Sequence, residues 1–122
     1  MSQRFRVVIT DFITDDLAPE RQLLGELADL VALDAADEPD LLGRVDDADA
    51  LMMYHNVTIS KGTIDRLKHC KLIVRCGVGY DNVDWRYART RGIPVANVPD
   101  YGTEEVADSA IGLALTLTRG IH

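Results

Sequence analysis

The sequence predicts an α/β fold, an open, doubly wound parallel sheet of five strands. Short β-branched runs alternate with amphipathic stretches along the chain. Strands recur every roughly 20–25 residues, the spacing of βαβ crossovers, which require parallel pairing with helices on both faces. No internal repeat, linker or low-complexity segment interrupts the pattern.

The first strand is Phe5 to Thr10, buried on both faces from Val7 to Ile9. Pro19 to Leu30 reads as a helix, with Pro19 in its first turn and Leu23, Leu24, Leu27 and Leu30 at three-four spacing. Val31 to Leu33 is a short strand, Asp40 to Val45 a short helix, and Ala50 to Tyr54 the third strand. Ser60 caps a helix that runs to His69, with Ile64 and Leu67 inward. Leu72 to Arg75 is the fourth strand. Asp84 to Thr90 is a helix stopped by Gly92. Pro94 to Val98 is the fifth strand, where a proline suits the first position or an edge. Such a sheet is flavodoxin-like, and its ligands sit at the carboxyl ends of the strands.

The last helix breaks the pattern. Thr103 is its expected cap, and Glu104 and Glu105 favour the positive end of its dipole. Val106, Ala107 and the run Ala110 to Leu117 then make it apolar nearly all round. A helix covering one face of a small sheet needs a single apolar stripe. This one expects a second partner, either another copy or a further domain.

The 122 residues carry 13 Lys+Arg and 20 Asp+Glu, a net charge of −7, with 47% hydrophobic residues. These values suit one soluble domain with a core of its own. The acidic balance disfavours nucleic acid and anionic membranes as partners. No apolar run approaches the roughly 20 residues that span a bilayer. Met1 to Arg6 has neither the apolar run nor the cleavage site of a signal peptide, so a cytoplasmic location is expected. Cys70 and Cys76 have no metal spacing and read as two small buried apolar residues.

Gly77-Val78-Gly79 directly follows a strand. It is not the dinucleotide fingerprint, because position 82, where a third glycine is needed, is Asn. The first strand runs into Thr10-Asp11-Phe12-Ile13, without glycine. Gly77 and Gly79 either form a nest of backbone N–H groups for a carboxylate or phosphate, or a plain tight turn. Arg75, two residues earlier, either pairs with a ligand carboxylate or is solvated or held by Asp81 or Asp84. Tyr54 and His55 end the neighbouring strand and converge with Arg75 on one cleft edge; otherwise His55 is an ordinary polar strand end. His69 and His122 have no supporting context. Asn97 braces its loop or lines the cleft. Asp11, Asp15 and Asp16 evoke a phospho-receiver, but Tyr54-His55 and Asn97 stand where its acceptor Asp and its Lys are needed. No Ser-His-Asp arrangement, HExxH, Walker loop or metal-ligand pattern occurs.

Three blocks carry a resemblance: Val74-Arg75-Cys76-Gly77-Val78-Gly79-Tyr80-Asp81-Asn82-Val83-Asp84, Gly92-Ile93-Pro94-Val95-Ala96-Asn97-Val98-Pro99, and Glu104-Glu105-Val106-Ala107-Asp108-Ser109. Together they resemble the D-isomer-specific 2-hydroxyacid dehydrogenases. Met53-Tyr54-His55 and Arg75 resemble the branch of C-terminal-binding proteins and their bacterial relatives.

The resemblance implies a two-domain NAD-dependent oxidoreductase acting on a small 2-hydroxy or 2-keto acid. Residues 1–102 would be its flavodoxin-like substrate-binding domain. Residues 103–122 would begin the helix that crosses to a Rossmann domain not in this sequence. By this likeness the N–H groups of Val78 and Gly79, with Arg75, hold the substrate carboxylate, and His55 lines the pocket. Val78 and Val106 match positions that touch the cofactor. The family's catalytic Arg, Glu and His and its glycine fingerprint have no counterpart here, so no residue is expected to be catalytic and the chain alone to be inactive. Helix 103–120 would mediate a homodimer or contact the cofactor domain. The alternative is a stand-alone adaptor that binds a peptide, or acts as a corepressor, without catalysis.

Overall fold

The structure, a computed structural model, describes residues 4–121. Met1, Ser2, Gln3 and His122, on which part of the signal-peptide reading and the His122 reading fall, lie outside the described residues. The strands are β1 (Phe5–Ile9), β2 (Ala28–Ala32), β3 (Ala50–Met53), β4 (Leu72–Arg75) and β5 (Val95–Asn97). They form one parallel sheet in the order β2-β1-β3-β4-β5. The helices are α1 (Ala18–Leu24), α2 (Lys61–Arg66), α3 (Trp85–Thr90) and α4 (Thr103–Arg119), with a 3-10 turn at Glu38–Leu41. This is the expected flavodoxin-like order, and it reverses direction at β1.

Strand alternation decides what each face buries. Val8, Leu51 and Ile73 are partners across β1, β3 and β4, and all three are fully buried. With Met53 they pack on Leu41, Val45, Ile59, Ile64, Leu67, Ala88 and Ile93 in the main core. On the opposite face Ile9, Met52, Val74 and Ala96 are partners, and exposure rises along that row from buried Ile9 to exposed Ala96. The handedness of crossovers places α1 opposite to α2 and α3, because the chain leaves β1 toward one edge first and then returns toward the other. Among the described residues nothing covers the β4–β5 end of that second face.

Several boundaries differ from expectation, for tertiary reasons. The helix read to Leu30 ends at Leu24, and Ala28 already pairs with Phe5. Leu23 and Leu27 are exposed, so the leucine spacing marks no buried face. Sheet pairing overrides helical periodicity here. The helix expected at 40–45 is the short 3-10 turn, which buries Leu41 and leaves Leu42 exposed. Ser60 does cap α2 by accepting from the Gly62 N–H, but α2 stops at Arg66. Glu38 accepts from the Ser60 N–H and the Thr63 hydroxyl; partial burial pushes its carboxyl up, and these hydrogen bonds outweigh it and hold it below the usual value. Asp84 caps α3, and Gly92 follows at φ 75. Thr103 lies inside α4 and Gly102 is the cap, without a side-chain bond. No residue of α4 is buried.

Candidate functional site

The ends of β1, β3 and β4 open onto a cleft of about 450 Å³ at the point where the strand order reverses. Phe12, Tyr54, His55, Arg75 and Gly77 line it, and Val98 and Tyr101 form its far wall.

Asp11 builds the floor. It is fully buried just past β1. Its carboxylate accepts from the Tyr54 N–H at 2.9 Å, the Asn56 N–H at 2.7 Å and the Thr10 hydroxyl at 2.6 Å. His55 is therefore held from both sides of its own backbone. The Asn82 amide adds bonds to the Tyr54 and Val57 carbonyls. Phe12 follows at φ 72, and the Ile13 N–H donates to the Asp11 carbonyl at 2.8 Å, closing a γ-turn about Phe12. The Phe12 ring stands 4.6 Å from the His55 ring and 5.5 Å from the Tyr54 ring, between centroids. Burial, more than the nearby Cys76, pushes the Tyr54 phenol up to about 12, so it stays a neutral hydroxyl.

Arg75 ends β4 opposite Met53 and Asn97. A Cβ on Gly77 would lie inside the Arg75 guanidinium, so the glycine makes room for the arginine. Arg75 forms no ion pair among the described residues, and its buried Nε has no hydrogen-bond partner. Neither Asp81 nor Asp84 holds it. The loop after it is tied to β5: Val98 N–H donates to the Gly77 carbonyl and the Asn97 amide to the Val78 carbonyl. Neither Gly77 nor Gly79 adopts positive φ. The N–H groups of Val78 and Gly79 have no partner among the described residues.

Tyr54, His55, Arg75 and Gly77 thus meet in one cleft. Val78 is half exposed beside it. Gly79 and Asn97 open onto neighbouring depressions around Tyr80 and Trp85, and Asn97 braces the loop. Val106 is 70% exposed on α4, away from the cleft lining. The cysteines are half-buried rather than buried, and Cys76 reaches the cleft, where burial pushes its thiol up. Sequence reasoning missed Phe12, Val98 and Tyr101. Their residue types carry no signal; only position after β1 and β5 could have found them. Among the described residues no three His, Cys, Asp or Glu side chains group as metal ligands.

The family model for the D-isomer specific 2-hydroxyacid dehydrogenase catalytic domain matches residues 7–119. The chain belongs to this family. It is 33% identical over 105 residues to C-terminal-binding protein 1 of Caenorhabditis elegans, covering 85% of this chain and 14% of that protein. Among solved structures it is similar to the NADPH-dependent glyoxylate/hydroxypyruvate reductase of Sinorhizobium meliloti bound to NADP and malonate. That match has 32% identity and a TM-score of 0.73, covering 93% of this chain and 34% of that one. The NAD+-bound 3-phosphoglycerate dehydrogenase of Entamoeba histolytica matches at 26% identity and a TM-score of 0.78, over 93% and 39% of the two chains. The chain therefore spans well under half the length of these relatives of the dehydrogenase family.

The dinucleotide bound in those two relatives does not fit a cradle in this chain. The 77–79 loop lacks the third glycine, and Asn82 at that place is engaged with Tyr54 and Val57. What this chain supplies here is an arginine without a partner among the described residues, beside a ring-lined cleft.

Proposed function

We propose that this chain is the substrate-holding part of a cytoplasmic NAD-dependent oxidoreductase that acts on a small 2-hydroxy or 2-keto acid. Residues 1–102 belong to the substrate domain, and residues 103–122 begin the helix that leads toward the cofactor-binding part or a second copy. In the whole protein a nicotinamide cofactor would supply the hydride chemistry at substrate C2. The chain's own residues position the acid. Arg75 pairs with the carboxylate, assisted by the N–H groups of Val78 and Gly79. Tyr54 and His55 line the pocket, Gly77 keeps Arg75 in place, and Asn97 steadies the loop. Val78 and Val106 are the positions assigned to touch the nicotinamide cofactor in the whole protein.

The carrying observation is Arg75: a guanidinium without a partner among the described residues, at a cleft on the switch point of the sheet. Ligand-observed NMR of the chain with pyruvate and glyoxylate tests it. Binding should occur with the native chain and vanish with Arg75→Met. Equal binding by Arg75→Met overturns the reading. The chain alone should not oxidise NADH with either acid.

Identity to C-terminal-binding protein 1 over most of the chain favours a second reading, a peptide-binding or corepressor-like adaptor. A cation without a partner among the described residues, in a small cleft, weighs toward the acid.

A further inference from the structure

We propose that Phe12 selects the substrate's side chain, and that the cleft takes a 2-keto or 2-hydroxy monocarboxylate with an apolar group on C3. The proposal rests on the carboxylate reading of Arg75 and adds to it.

Phe12 occupies a backbone conformation that phenylalanine disfavours. A positive φ at a bulky residue is a steric outlier, and γ-turns of this sign are rare and strained. Burial of the ring does not explain it, because Phe12 remains 52% exposed. Its ring instead faces the cleft, against the His55 and Tyr54 rings. That contact fixes a rigid apolar wall at the switch point. Tyr101 and Val98 stand across the same cleft, exposed by 68% and 41%. An apolar substituent placed between these walls would cover surfaces that the described residues leave open.

Charge limits the ligand to one carboxylate. Among the described residues Arg75 is the one permanent cation in the lining, and the fully buried Asp11 carboxylate lies under the Tyr54–Asn56 backbone. A second carboxylate on the substrate would lack a permanent cation and would meet the field of Asp11.

The test is titration of the chain at neutral pH with glyoxylate, which has no C3, and with 4-methyl-2-oxopentanoate, phenylpyruvate and oxaloacetate, followed by ligand-observed NMR. The native chain should bind the two apolar acids about fivefold or more tighter than the other two. Phe12→Gly and Phe12→Asn both suit a positive φ, so either keeps the turn if the other fails to fold. Each should erase the preference, weakening the two apolar acids by a larger factor than glyoxylate. Equal weakening of all four acids, or a native preference for oxaloacetate, overturns the proposal. Should no acid bind the native chain, or Arg75→Met bind as well as native, the carboxylate reading itself fails and this one falls with it. Failure confined to the Phe12 variants leaves that reading intact.

Discussion

The guanidinium of Arg75 occupies the space that a side chain on Gly77 would need. Gly77 is therefore a glycine for the sake of a neighbour's side chain, not for its own backbone angle, which is not left-handed. Gly77→Ala pushes aside the flexible end of an arginine, so thermal unfolding should place its stability within about 1 kcal/mol of native. The same shift removes Arg75 from its place over the loop. Affinity for glyoxylate should fall about tenfold, the loss expected for one charge-assisted hydrogen bond.

Asp11 holds three donors in a site without solvent. Asp11→Ala leaves the Tyr54 and Asn56 N–H groups without their acceptor, and should cost about 2–4 kcal/mol in urea denaturation. Asp11→Asn should cost nearly as much, because whichever way the amide turns, its nitrogen faces a backbone donor. A loss below about 1 kcal/mol would show that the Tyr54–Asn56 loop holds itself.

Phe12 gives a backbone test independent of any ligand. At φ 72 glycine is favoured over alanine. Phe12→Gly should be more stable than Phe12→Ala by about 1 kcal/mol, the reverse of the order at an ordinary position. Paired denaturation curves read this directly.

Tyr54 makes the protein sensitive to alkali. Burial disfavours the phenolate and pushes its phenol from the ordinary 10.0 up to about 12. The folded chain then holds a proton that the unfolded chain has released. This contribution to stability is complete below pH 10 and declines as pH rises toward about 12. Phenolate absorbance should show a step near 12 that Tyr54→Phe removes.

Helix α4 exposes Ile111 and Leu115 on one side and Leu113 and Leu117 on the other. Exposed apolar surface of this kind favours association. Sedimentation velocity should show concentration-dependent self-association, reduced in the double variant Leu113→Glu/Leu117→Glu. A native chain that stays monomeric at all concentrations and binds no hydrophobic dye would count against the dimer.

Much of the site was legible one residue at a time. Arg75, Gly77, Tyr54 and His55 end strands that parallel order brings side by side, so reading the strands also located the cleft. Phe12 was not legible. Nothing in Asp11-Phe12-Ile13 announces a γ-turn; the turn exists because Asp11 is drawn inward by donors more than 40 positions away in the chain.

By itself the sequence determined the parallel five-stranded sheet, its flavodoxin-like order and the family. Alternating apolar runs and crossover lengths are local properties that leave few other ways to bury the strands. Only the tertiary structure decided where α1 ends, that Asp11 supports His55, that Arg75 stands unpaired among the described residues, and that α4 buries nothing. Each of these depends on which distant groups meet across the sheet, and side-chain contacts at that range leave no periodic trace in the chain.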